Sequence, residues 1–105
     1  MNFYNHKIES NITYVDIDKI LLSQPIINAV ENLGKKIVNP NIDPFAPAFG
    51  KLERLNSFNN FVNIILPPVV LKKYQNYYTI IDGRHRIALS LYNNFTQIPA
   101  ILYSC

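Results

Sequence analysis

Asp82-Gly83-Arg84-His85-Arg86 sets a carboxylate, a turn-forming glycine, two guanidinium groups and an imidazole in five consecutive residues. Guanidinium groups are planar, permanently charged and matched to the oxygens of phosphate. Glycine lets a backbone turn tightly and come close to a ligand. If a helix starts here, its first turn offers free N–H groups and the positive end of the helix dipole. Cations placed there oppose that dipole, so helix stability alone does not account for Arg84, His85 and Arg86. A bound anion does account for them, because N–H groups, dipole and side chains would converge on it. The chemistry indicated is phosphate binding, with Arg84 and Arg86 on the oxygens and Gly83 admitting the backbone. His85, as hydrogen-bond donor or proton shuttle, is the catalytic candidate. Asp82 has three readings: a helix cap (the simplest), a group orienting an arginine, or a holder of a nucleotide-associated metal. The plain alternative is a strand–turn–helix junction with Asp82 as N-cap and exposed cations, which leaves the crowding of cations at this helix end unexplained.

The flanking elements support that junction. Tyr77 to Ile81 is a β-branched and aromatic run and reads as a strand. Ile87, Ala88, Leu91 and Tyr92 recur at helical spacing, so a helix is expected from Arg84 to Tyr92, ending at Asn93-Asn94. Phe95 is expected to fold back on that helix. Upstream, Val69 to Lys73 forms a strand that returns antiparallel after a turn at Tyr74-Gln75-Asn76. Downstream, Ile98 to Tyr103 forms the last strand, in which Pro99 points to a sheet edge or a strand start.

The N-terminal half is read the same way. Asn11 to Ile17 has strand chemistry, with Ile12, Tyr14 or Val15, and Ile17 competing for the inner face, and Asp18 can cap a short turn through Leu22. Ser23 as N-cap and Pro25 in the first turn start a helix whose stripe is Ile26, Ala29, Val30 and Leu33. Gly34 stops it, and Lys35 and Lys36 favour its negative end. Residues 37 to 50 contain Pro40, Pro44 and Pro47 and form a long loop, either a lid or docking loop or a plain surface connection. Leu52, Leu55 and Phe58 then space a further helix over 51–58, ended by Asn59 and Asn60.

The turn and its flanks resemble the ParB/sulfiredoxin-like superfamily. The resemblance rests on Leu66-Pro67-Pro68-Val69-Val70-Leu71, the strand to Ile81, Asp82-Gly83-Arg84-His85-Arg86, an apolar helix, and Ile98-Pro99-Ala100-Ile101-Leu102 in that order. It covers residues 66 to 103, with a weaker echo at Val15 to Ile20. It implies an α+β fold with a small mixed β-sheet and packed helices. It also implies a nucleotide, ATP or CTP with accompanying Mg²⁺, bound through Asp82, Gly83, Arg84, His85 and Arg86. In that superfamily a helix near 51–58 brings polar side chains to the nucleotide, a role Lys51 and Arg54 would take here; two solvated charges are the plain alternative. Sulfiredoxins carry His-Arg at the places of His85 and Arg86, but their catalytic cysteine falls on Arg84, and Cys105 is far away, so sulfinic acid reduction is not expected. ParB proteins carry Gly-Glu-Arg-Arg and bind CTP; this chain shares the glycine and one arginine. With 105 residues and no helix-turn-helix after the domain, a full partition protein is not expected. The nearest local resemblance is to ParB-like free-serine kinases and short phage proteins with an Asp-Gly-x-His-Arg turn. The kinases also need a carboxylate base, for which Glu31, Asp16, Asp18, Asp43 and Glu53 are available.

Composition sets the outer limits. A chain of 105 residues, 49% hydrophobic and 16% charged, is expected to be one folded domain over 1–105. The net charge of +3 suits a phosphate-bearing ligand without demanding nucleic acid. Cys105 is the only cysteine, so no internal disulfide or cysteine metal site is expected, and the isolated His6 makes no metal site either. The frequent Asn, Ile, Tyr, Phe and Lys suit an AT-rich genome such as that of a virus, phage or plasmid. Residues 1 to 10 are expected to be a loosely held end without a signal peptide, and no apolar run reaches membrane length. A cytoplasmic, or for a viral protein intracellular, location follows as an expectation. Three functions stay open: nucleoside triphosphate binding with hydrolysis or phosphoryl transfer, a DNA-binding or nuclease-like module, and a non-catalytic interaction module. Tyr74, Tyr77, Tyr78 and Tyr92 would serve the second by stacking on bases, although core packing accounts for most of them. Partners considered are the triphosphate, DNA and a second copy of the chain, with no membrane.

Overall fold

The computed structural model describes residues 12–48, 52 and 67–104. The expected helix over 51–58 with Lys51, Glu53 and Arg54, the lead-in at 63–66, His6 and Cys105 lie outside them.

Four strands form one mixed sheet. They are β1 (Thr13–Asp16), β2 (Val69–Lys73), β3 (Tyr78–Asp82) and β4 (Gln97–Ser104), in the spatial order β1-β4-β2-β3. β1 pairs antiparallel with β4, β4 parallel with β2, and β2 antiparallel with β3. The period-2 alternation of strands decides the inner face: Val15, Val69, Leu71, Ile98 and Ala100 are all buried. Helices α1 (Gln24–Asn32) and α2 (Arg84–Tyr92) pack against each other and close the core with Ile26, Ile27, Val30, Ile87, Ala88 and Leu89. Burying each such aliphatic side chain contributes about 1.5–3 kcal/mol. The result is an α+β fold with a small mixed sheet and packed helices, as the sequence leads one to expect.

Several details differ from expectation. Pro99 sits in β4, which is an interior strand rather than an edge. The other place expected for it, a strand start, holds on one side: the parallel ladder with β2 begins one residue later, at Ala100 opposite Val69, while on the other side Pro99 stands opposite Tyr14 of β1. β1 stops at Asp16, and Val15 rather than Tyr14 faces inward; Tyr14 is 65% exposed on the other face. The turn after it is a 3-10 helix over Ile17–Lys19 that contains Asp18 instead of being capped by it. Ser23 does occupy the N-cap of α1, but its side chain makes no cap hydrogen bond. Gly34 follows the end of α1 with φ 104°, a left-handed conformation suited to glycine. Lys35 turns away from α1 and closes α2 instead, donating to Leu91 O at 2.6 Å and to Asn94 Oδ1. Asn94 adopts φ 63° and Phe95 N–H returns to Ser90 O at 2.9 Å, which ends α2 where its sequence predicts.

Candidate functional site

The junction between β3 and α2 is built around Gly83. This residue is the N-cap of α2, buried, with φ 111° and ψ 27°. A Cβ at this position would lie 2.6 Å from Val69 Cγ1, so both the left-handed backbone and the contact with β2 require glycine. Because glycine has no side chain, nothing caps the helix from this residue. The first intrahelical bond is Ile87 N–H to Gly83 O at 3.0 Å. The N–H groups of Arg84, His85 and Arg86 therefore precede the helical ladder. These residues are among those, 81 to 86, that line a cleft of about 180 Å³.

The two arginines have separate positions. Arg86 donates through Nη1 to Pro68 O at 2.8 Å and through Nη2 to Asp82 Oδ2 at 3.2 Å. Its side chain is 26% exposed, whereas that of Asp82 is 71% exposed. Of the three readings of Asp82, the geometry agrees with the one in which it orients an arginine rather than with the favoured cap: it is the last residue of β3, and its carboxylate turns toward Arg86 at i,i+4. Arg86 ties the start of α2 to the segment entering β2 and is among the residues lining the cleft. Arg84 is exposed and lines the cleft. His85 lines the cleft as well and is half-buried.

A second cavity adjoins the first. The chain entering α1 runs along the outer edge of β3, where Ile20 bridges Tyr78 and Leu21 N–H donates to Tyr78 O at 2.9 Å. This brings the start of α1 beside the turn. The proline-rich loop is held to the same place by the bridge between Leu22 and Ile42. Between them lies a cavity of about 80 Å³ whose walls include Ser23, Asp43, Ile80 and Arg84. Arg84 is shared by both spaces. Sequence reading gives no hint of this cavity, because its walls come from three segments far apart in the chain. Among the carboxylates considered as bases, Asp43 alone of the described ones lines a space that Arg84 also lines. Asp16 Oδ1 accepts from Gln97, Glu31 stands near Gly34 at the far end of α1, and Asp18 is exposed.

The remaining candidates are not gathered here. Tyr74 and Tyr77 stack on one another at the hairpin end with ring centroids 4.9 Å apart, and Lys72 Nζ lies 5.5 Å over the Tyr74 ring. Tyr78 and Tyr92 pack against the core. Among the described residues, no helix is long and apolar enough to cross a membrane, and no group of three His, Cys, Asp or Glu is placed to hold a metal ion.

No family model and no curated protein matches the chain. Among solved structures, it is similar to a conserved hypothetical protein from Pyrococcus furiosus, with a TM-score of 0.53 and 17% identity over 90% of this chain and 33% of that one. It is also similar to the C-terminally truncated chromosome-partitioning protein ParB from Caulobacter crescentus complexed with CTP-γ-S, with a TM-score of 0.53 and 12% identity over 91% of this chain and 46% of that one. The chain therefore spans a third to a half of the length of these structures. At such identity the likeness concerns the fold, which is ParB-like.

Proposed function

We propose that this chain binds a nucleoside triphosphate, ATP or CTP, by its phosphates at the turn from Asp82 to Arg86. The observation that carries this reading is the start of α2 at Gly83, without a side-chain cap, where Gly83, Arg84, His85 and Arg86 line one cleft. A structure of similar fold, the Caulobacter ParB, is complexed with a CTP analogue, which agrees with it. In this reading Gly83 admits the phosphates to the backbone, and Arg84 supplies the mobile cation. His85 donates a hydrogen bond, and Arg86 adds charge while anchoring the helix. Asp82 orients Arg86. Lys51 and Arg54 are further candidates for the phosphates, and Mg²⁺ accompanies them when the triphosphate brings it. Hydrolysis or phosphoryl transfer is an extension of the same reading, since such transfer depends mainly on positioning and charge stabilisation. His85 is then the proton-handling group.

The test is a thermal-shift series with ATP, CTP, GTP, inorganic tripolyphosphate and short DNA, each with and without Mg²⁺. A ligand at a hundred times its dissociation constant stabilises by about 2.7 kcal/mol, a readable shift for a domain of this size. A shift with a triphosphate, lost in Arg84→Ala, is the expected result. A shift with DNA alone would replace this reading by a polynucleotide-binding one, and no shift with any of them would remove it.

A further inference from the structure

We propose that the cavity at the start of α1 receives the ribose of the bound nucleotide, and that Ser23 and Asp43 make the site selective for ribonucleotides over 2′-deoxyribonucleotides. The inference rests on the phosphate reading above and adds to it the class of sugar.

Ser23 is the starting point. It is 7% exposed, and its Oγ has no hydrogen-bond partner among the described residues. An N-cap serine ordinarily spends its hydroxyl on the N–H of the second or third helical residue. Here the second is Pro25, which has no N–H, and the N–H of the third, Ile26, goes to Ser23's own carbonyl at 3.1 Å. The hydroxyl is thus left without its usual local acceptor or donor, on the wall of the cavity. A buried hydroxyl in that state costs free energy until something hydrogen-bonds to it.

Asp43 stands across the same cavity for a backbone reason. Leu22 N–H donates to Asn41 O at 2.8 Å, and Asp43 N–H donates to Leu22 O at 2.9 Å. This short parallel bridge fixes Asp43 next to the segment that carries Ser23. Its Oδ1 accepts the Phe45 N–H at 2.9 Å, which sets the orientation of the carboxylate. A carboxylate has acceptor positions for more than one donor, and a carboxylate accepting from a ribose hydroxyl is how dinucleotide-binding folds hold that sugar.

Arg84 links the two spaces. A nucleotide with phosphate at the turn has its sugar one ester oxygen and one methylene away, and the space on the other side of Arg84 is this cavity. Its apolar walls, Leu21, Ile26 and Ile80, suit the carbon edge of a furanose ring. At about 80 Å³ it has space for a few waters, which accommodates the hydroxyl edge of a sugar and not sugar and base together.

The experiment is calorimetric titration of wild type, Ser23→Ala and Asp43→Asn with ATP, dATP, CTP, dCTP and inorganic tripolyphosphate. Wild type is expected to bind the ribonucleotide about tenfold more tightly than its deoxy form, the size of one or two well-made hydrogen bonds. Both variants should bring the two forms to within about twofold while leaving deoxynucleotide and tripolyphosphate affinity unchanged. Ser23→Ala should also melt no lower than wild type without ligand, because it removes a buried hydroxyl that lacks a partner. Equal wild-type affinity for both sugars overturns the ribose assignment and leaves the phosphate reading standing, with water filling the cavity. Equal losses for both sugars in the variants overturn it too, by showing a structural role. Failure of tripolyphosphate and of every nucleotide to bind removes both readings together.

Discussion

The two helices among the described residues begin on either side of one cavity, and neither N-cap residue makes a side-chain cap hydrogen bond. At α1 the cap position holds a serine, but Pro25 removes one N–H and the helix opens into the core with Ile26 and Ile27 buried. At α2 the cap position holds a glycine and the first turn carries cations. The first start is buried, with a hydroxyl lacking a partner; the second lies at the surface cleft, with charge but no hydroxyl. The difference teaches that the missing cap has two causes. In α1 the local sequence denies the serine its usual donor. In α2 the backbone has to pass so close to β2 that no side chain fits.

The sharpest way to break this comparison is to give α2 a side chain at its cap. Gly83→Ala forces a Cβ to 2.6 Å from Val69 Cγ1 in a left-handed backbone. The expected loss is roughly 2–5 kcal/mol, overpacking and backbone strain together. Urea unfolding measures it. Adding Val69→Ala should return only part of the steric cost, because the Cβ of residue 69, 2.9 Å from the added one, remains, and the strain at φ 111° is untouched. A loss below about 0.5 kcal/mol would mean that the turn relaxes and that glycine is not required there.

The arginines sharpen the comparison within α2 itself. Arg86→Ala removes a charged hydrogen bond to Pro68 O and the contact with Asp82, and should cost roughly 1.5–3 kcal/mol in the absence of any ligand. Arg84→Ala should change that stability by no more than about 0.5 kcal/mol, since the side chain is exposed. Its expected effect is on nucleotide affinity, roughly ten- to hundredfold, as for one charge-assisted hydrogen bond. Asp82→Ala should cost less than Arg86→Ala, about 0–1 kcal/mol, because the carboxylate is 71% exposed. Denaturation and titration of the three variants separate anchor from ligand-binding cation. Equal stability losses in Arg84→Ala and Arg86→Ala would erase the distinction.

Much of this was legible from residue types and spacing. The strand chemistry of β2 and β3, the turn between them and the helical spacing of Ile87, Ala88 and Leu91 are local signals; β2 and α2 appear where they were expected and β3 one residue later, at Tyr78–Asp82. The interior place of β4 was not legible, because Pro99 argues for an edge or a strand start, and only the register shows that it precedes the ladder with β2. For Asp82 the sequence left the choice open: an aspartate before a helix favours a cap, whereas the second reading, a carboxylate that orients an arginine, is the one the contact with Arg86 agrees with. The cavity beside Ser23 was invisible in sequence. It depends on the bridge between Leu22 and Ile42, an isolated contact within a proline-rich loop, which no periodicity announces.

The smallest expected effect concerns the other end of α2. Its N-terminus is open, whereas its C-terminus is closed by Lys35, whose ammonium meets Leu91 O and Asn94 Oδ1. A cation there complements the negative end of the dipole and adds a charged donor to a carbonyl that otherwise accepts from Asn94 N–H at 3.2 Å. Lys35→Met keeps the apolar stem and removes the charge, so the expected loss is about 0.3–1 kcal/mol. Native-state hydrogen exchange should show faster opening in the last turn, through Asn93 N–H to Leu89 O, and unchanged protection at Ile87 N–H near the start. Added salt should shrink the difference between wild type and variant, since the dipole term is screened. If protection fell equally along the whole helix, α2 would open as one unit. Its two ends would then not be independent, and the open start could not be treated apart from the closed end.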